Sequence, residues 1–183
     1  MQDSHKTDFL GHDAIFPLLL RMSIPAAIGM IINALYNIVD TIFVGHGVGP
    51  LAIAALSIVF PIQMIISSFA QAIGVGAASI ISRKLGERKP EIAAEAIGTA
   101  ITAVLVITFI LAFSLFIFMR PVLSFFGATD NIMPFAIDYI SIITPGFFFF
   151  TLSMCASNLV RAEGNARASM IGMVTGAALN TIL

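Results

Sequence analysis

Asp40 is the side chain in this sequence best suited to bind and release a proton or a metal cation. It directly follows 18 uncharged residues, 22–39, and a carboxylate inside a membrane span costs about 2.5–3.5 kcal/mol on insertion scales. Such residues usually face the interior of a helix bundle, where they mark ion or proton pathways. Because removal from water favours the neutral form of a carboxyl group, Asp40 could load and release a proton near neutral pH.

Three further polar residues share a helical face with Asp40. Asn33, Tyr36, Asn37 and Asp40 follow the spacing i, i+3, i+4, i+7, which aligns them along one side of a helix. A polar stripe on an apolar helix indicates the wall of a wet cavity. The alternative is that Asp40 reaches the outer membrane interface, because it lies only about 7–8 Å along the helix from Gly45.

Tyr139 and Asn180 are expected at the same membrane depth as Asp40, on two other helices. Asn180 continues a series of small residues spaced four apart that includes Gly172 and Gly176, and small residues mark faces where membrane helices pack closely. Alternatively, Tyr139 is an interfacial anchor and Asn180 makes an interhelical hydrogen bond.

A second polar stripe is formed by Gln63, Ser67 and Gln71, which we expect to line a cavity together with Asn33 and Asn37. The sequence contains no catalytic triad, phosphate-binding loop or nucleic-acid-binding patch. The single cysteine excludes an intrachain disulfide. We therefore predict that the protein is not an enzyme, has no cofactor and has no nucleic-acid partner.

The composition predicts that these residues are held by membrane-spanning helices. Hydrophobic residues make up 58% of the 183 residues and charged residues only 10%, whereas soluble domains carry about 25% charged residues. Residues 1–14 are predicted to be a polar cytoplasmic segment and residues 15–183 a transmembrane unit. Apolar runs of span length, separated by polar or Gly/Pro-rich turns, predict helices at about 15–44, 51–81, 93–119, 132–158 and 168–183.

The distribution of Lys and Arg predicts the orientation of these helices. Eight of the nine basic residues lie on the side of the N-terminus, whereas only Arg120 lies on the other side. Because basic loops stay in the cytoplasm, the fold class is predicted to be an all-α, polytopic membrane protein with a cytoplasmic N-terminus. The last helix is still apolar at Leu183, so we expect the chain to be a fragment.

Several motifs in order along the chain resemble one transporter family. They are VDTIFVG at 39–45, FPI at 60–62, GVGAAS at 74–79, SRKLGE at 82–87 and RAEGN at 161–165. From residue 16 onward the chain is similar to the multidrug and toxic compound extrusion (MATE) family.

This resemblance implies a fold, a function and a site. MATE proteins have two six-helix lobes, so the chain would be the N-terminal lobe without its sixth helix, and its partners would be the bilayer and the missing C-terminal lobe. The family exchanges H⁺ or Na⁺ for amphipathic, mostly cationic drugs across the cell membrane. The coupling residues would be Asp40, Tyr36, Tyr139 and Asn180, with a Na⁺ ion possible at Asp40 and Asn180.

Two other functions remain open from the residues alone. A flippase for a lipid-linked saccharide would be expected to carry basic residues at membrane depth for its anionic head group, and no Lys or Arg lies deep in a predicted span. In a membrane scaffold or receptor that transports nothing, loss of Asn33, Asn37 and Asp40 would alter folding alone.

Overall fold

The computed structural model describes residues 15–47 and 49–182, and these residues form helices and no strand. The all-α fold class is therefore confirmed. The helices are α1 (Ile15–Gly47), α2 (Pro50–Gly86), α3 (Pro90–Ile117), α4 (Met119–Phe125), α5 (Met133–Ile143), α6 (Gly146–Ala162) and α7 (Ala166–Ile182).

The turns at the two ends of α2 are short. Gly49 precedes α2 with φ of +105°, a conformation that favours glycine, and Pro50 takes the first helical position, where its missing N–H costs nothing. At the other end α2 continues to Gly86 and α3 begins at Pro90. The polar segment between the predicted helices 51–81 and 93–119 is thus mostly helical, because side chains at a helix end reach water without breaking the helix.

Proline explains where α3 ends. The ring of a proline clashes with the carbonyl four residues earlier and cannot donate to it. For Pro121 that residue is Ile117, the last residue of α3. The chain then turns at Phe118 into the short helix α4, Met119–Phe125.

A proline also divides the helix expected at 132–158. The structure has two helices there, α5 and α6, which end and begin on either side of Thr144 and Pro145 and are bent by 56°. Pro145 cannot donate to the carbonyl of Ser141. The expectation of one continuous helix was therefore wrong at this point.

Helix α2 lies at the centre of the packing, where it contacts α3, α5 and α6. Its first half forms a hydrophobic cluster with the end of α3, with α4 and α5, and with the start of α6; this cluster includes Val59, Ile62, Leu123, Ile140 and Phe147. Its second half forms another cluster with α3 and α6. Helix α1 packs mainly against α7 and only slightly against α2.

The outer faces of these helices are apolar. On α3, for example, Phe109, Phe113 and Phe116 are more than half exposed. In the part of the chain that the structure describes, α2 and α3 are each long and apolar enough to cross a membrane, and the bent pair of α5 and α6 would make a third span.

Candidate functional site

A buried amide, Asn158, connects α2 to α6. Its side chain is 6% exposed, and its Nδ2 donates to Oε1 of Gln71 at 3.0 Å and to the carbonyl of Met154 at 3.1 Å. Its Oδ1 accepts a hydrogen bond of 2.7 Å from Nη2 of Arg161. Both amide protons and the amide oxygen are therefore used.

Arg161 ends this polar network at the last turn of α6. Its guanidinium is half-buried and also donates from Nε to the carbonyl of Ser157, at 3.2 Å. The hydroxyl of Ser157 in turn pairs with that of Ser169 on α7. Hydrogen bonds thus connect α2 with α6, and α6 with α7.

Gly74 allows α2 to approach this amide. A Cβ atom built on Gly74 would lie 2.8 Å from Nδ2 of Asn158, which is closer than real Cβ contacts come. A small residue at this position lets two helices meet closely, so Gly74 makes room for the buried amide one turn away from Gln71.

Gln71 also lines an open hollow of about 440 Å³ on the surface of α2 and α6. Its lining residues are Ser67, Ser68, Gln71, Ala72, Val75 and Met154. The hydroxyls of Ser67 and Ser68 both donate to the carbonyl of Met64, at 2.9 and 2.7 Å. Their oxygen lone pairs therefore stay available to accept hydrogen bonds.

Of the three residues on α2 that we expected to line a cavity, Ser67 and Gln71 lie side by side in this hollow, whereas Gln63 is half-buried and is not one of its lining residues. Tyr139 lies on α5, half-buried against the first hydrophobic cluster. The remaining predicted site residues lie within α1 or α7, and their side chains fall outside what the structure describes; these are Asn33, Tyr36, Asn37, Asp40 and Asn180.

The two helices that carry Asp40 and Asn180 pack against each other. A Cβ atom built on Gly29 of α1 would lie 3.0 Å from Sδ of Met173 and 4.0 Å from Cα of Met170, both on α7. Gly29 therefore lets α1 lie close to α7. Among the described residues, no group of three or more His, Cys, Asp or Glu could hold a metal ion.

Sequence reasoning missed the roles of Asn158 and Arg161. Arg161 lies beyond the predicted helix 132–158, whereas in the structure it belongs to the last turn of α6. The available signal was their spacing of three residues, which places an amide and a guanidinium on one helical face. The partner on α2 has no such local signal, because it is 87 residues away along the chain.

Comparisons with known proteins give a consistent result. The family model described as MatE matches residues 25–183. The chain is similar to a solved structure described as that of the MATE multidrug transporter DinF-BH in a complex, with a TM-score of 0.88, 45% identity and coverage of 94% of this chain and 39% of that one.

Curated relatives include two bacterial transporters. The FAD transporter of Shewanella oneidensis is 32% identical over 91% of this chain and 36% of its own length. The multidrug export protein MepA of Staphylococcus haemolyticus is 27% identical over 96% of this chain and 39% of its own length. The chain thus spans less than half the length of the relatives that it matches.

Proposed function

Because this chain belongs to the MatE family, whose matched relatives are transporters, we propose that the intact protein exports organic cations across the cell membrane in exchange for H⁺ or Na⁺. The coupling site is Asp40 with Tyr36, Asn180 and Tyr139. The N-terminus is cytoplasmic and the chain crosses the membrane several times.

The packing of α1 on α7 is the observation that carries this proposal. The two helices run in the same direction if α2, α3 and the bent pair α5–α6 each cross the membrane once. Gly29 lies eleven residues before Asp40, and its two contacts on α7, Met170 and Met173, lie ten and seven residues before Asn180. At 1.5 Å per residue, Asp40 is then about 16 Å and Asn180 about 10–15 Å beyond the contact point, so both lie toward the same end of the α1–α7 pair.

The packing of Tyr139 supports its placement on the same side of the membrane as Asp40. Tyr139 packs against the cluster that contains Ala55 and Ile62 from the first half of α2. Since α2 begins just after α1 ends, this half of α2 lies on the same side of the membrane as Asp40.

In this mechanism, Asp40 alternates between two states. In one it binds H⁺ or Na⁺, and in the other it is a free carboxylate. An ion can shift a conformational equilibrium only by its difference in affinity for the two conformations. Helix α1 is the element that can respond, because it packs mainly on α7 and only slightly on α2. At the α1–α7 contact lies Met173, whose flexible thioether adapts to changed packing.

The function is tested by placing the intact transporter in membrane vesicles and measuring the gradient-driven movement of a fluorescent organic cation across the vesicle membrane. We expect that export stops when one of the two gradients, that of H⁺ or that of Na⁺, is collapsed, and that it continues when only the other gradient is collapsed. Export that persists after both gradients are collapsed would contradict the antiport.

The relative from Shewanella oneidensis favours a second candidate substrate. That protein is described as an FAD transporter and is 32% identical to this chain. Export of a flavin nucleotide would involve an anionic substrate, which the same vesicles can measure by flavin fluorescence. Flavin export without cation export would replace the first candidate.

A further inference from the structure

We propose that Gln71 is a specificity-determining residue of the transporter, which presents its amide NH₂ to hydrogen-bond acceptors on the exported molecule, and that Asn158 and Arg161 are positioning residues that hold it in this orientation. This inference rests on the proposed function and concerns a site separate from the coupling residues. The substrate class is an amphipathic cation that carries a carbonyl or ether oxygen.

The orientation of Gln71 follows from the guanidinium at the end of the network. Arginine has only hydrogen-bond donors, so the Asn158 atom that it contacts at 2.7 Å must be the amide oxygen. The other end of the Asn158 amide is therefore Nδ2, a donor. The Gln71 atom that it contacts at 3.0 Å must then be the acceptor, Oε1.

One group of the Gln71 side chain, its NH₂, remains available to a ligand. With Oε1 engaged by Asn158, its Nε2 carries two protons that have no partner in the described part of the chain. Gln71 is exposed and lines the hollow of about 440 Å³. A molecule in this hollow therefore meets a hydrogen-bond donor whose direction is fixed from the protein interior.

The network also resists reorientation of the amide. Asn158 is buried, and both of its protons are used. If the amide flipped, Arg161 would face an NH₂ group, and the carbonyl of Met154 would face an oxygen. Neither contact would then be a hydrogen bond, and a buried polar group without a partner is unfavourable, so the network strongly favours one orientation.

Three monovalent cations separate hydrogen bonding from hydrophobic and charge effects. Tetramethylrhodamine methyl ester offers acceptors but no N–H donor, ethidium offers aromatic amine donors, and tetraphenylphosphonium offers neither. Their dissociation constants are measured with the intact, purified transporter. Thr102→Val is the matched control, because the exposed Thr102 of α3 bonds only to its own helix, at the Gly98 carbonyl.

Gln71→Met removes the donor and keeps the length of the side chain. We expect it to weaken binding of the rhodamine ester about 2- to 12-fold, the change that corresponds to a net hydrogen bond of roughly 0.5–1.5 kcal/mol. Binding of tetraphenylphosphonium should stay unchanged. Equal weakening of both cations, or of neither, overturns the inference.

Asn158→Asp tests the positioning role, because a carboxylate can only accept. It can keep the bond from Arg161, but Gln71 must then turn its NH₂ group toward residue 158 and its oxygen toward the hollow. We expect the rhodamine ester to bind more weakly and ethidium more tightly, each relative to tetraphenylphosphonium. An unchanged ratio between the rhodamine ester and tetraphenylphosphonium contradicts this role.

The same binding assay distinguishes a failure of the proposed function from a failure of the inference about Gln71. If the proposed function fails, the unmodified transporter binds none of the three cations, whereas failure of the present inference leaves their binding intact and removes only the selective effects of the two variants. Gln71→Met keeps the inference testable even if Asn158→Asp does not fold, because it removes one hydrogen bond of Asn158 without adding a charge to the helix interface.

Discussion

Gly74 and Asn158 occupy complementary positions on facing helices, since a Cβ atom on Gly74 would come within 2.8 Å of Nδ2 of Asn158 and within 3.2 Å of its Cβ. A buried amide in a helix interface needs both space and partners. Gly74 supplies the space, while Gln71, one turn earlier on α2, supplies the acceptor. The α2–α6 contact is therefore fitted to one particular side chain.

Replacing Gly74 by alanine is expected to destabilise the protein. Asn158 cannot move aside without giving up its buried hydrogen bonds, and overpacking of a close contact costs about 1–3 kcal/mol. The matched control is Gly76→Ala, because a Cβ atom there meets nothing within 4 Å. Thermal unfolding in detergent should show a lower Tm for Gly74→Ala and an equal or higher Tm for Gly76→Ala. Equal Tm values for both variants would contradict the close contact.

The hydrogen bond between Thr108 on α3 and Thr151 on α6 predicts an asymmetric effect of mutation. Both residues are buried, and Oγ1 of Thr108 donates to Oγ1 of Thr151 at 2.9 Å, which itself donates to the Phe147 carbonyl at 2.7 Å. Thr151→Val removes the acceptor of a buried hydroxyl and should cost about 1–3 kcal/mol.

Thr108→Val should cost less, about 0.6 kcal/mol, the mean value for such bonds between membrane helices. In the double variant no hydroxyl is left unpaired, so its loss of unfolding free energy should be smaller than the sum of the two single losses. Chemical unfolding of the three variants measures this, and strict additivity would show that the bond does not couple them.

The Lys84–Glu87–Lys89 cluster in the α2–α3 connector predicts a pH effect. A hydrogen bond of 2.9 Å from Lys84 and one of 3.2 Å from Lys89 hold the pKa of Glu87 below its ordinary value. Because the folded pKa is the lower one, the stabilisation is present above the unfolded pKa and is lost as the pH falls through the folded pKa.

An NMR titration of labelled glutamate measures this shift. We expect Lys84→Met to raise the pKa of Glu87 more than Lys89→Met does, because the bond from Lys84 is the larger cause. An unchanged titration in Lys84→Met would show that the pair does not persist in solution. Since Glu87 is exposed, its loss should hardly alter the Tm.

The sequence predicted the fold class because apolar runs of membrane length leave few alternatives. It did not predict the break at Pro145, because the 22 uncharged residues 139–160 fit one span by length. A proline within a membrane helix can either bend it or be tolerated, and its neighbours decide which occurs. The adjacent Gly146 was the local signal for a break.

The site was predictable only where its residues share one helix. The stripe that contains Ser67 and Gln71 follows from helical periodicity, and both residues line the same hollow. The buried partner of Gln71, Asn158, could not be found in this way, because a contact between distant helices depends on their packing and register. The glycine at position 74 indicates a close helix contact, but the amino-acid sequence does not show which side chain on the facing helix lies against it.

The central claim is that Asp40 couples an ion gradient to export, and drug export by the intact transporter carrying Asp40→Asn tests it most directly. The control is Asp130→Asn in the exposed turn before α5. We predict that Asp40→Asn lowers gradient-driven export at least about tenfold, a loss of roughly 1.4 kcal/mol or more, while the control exports normally. Undiminished gradient-driven export by Asp40→Asn would contradict the claim.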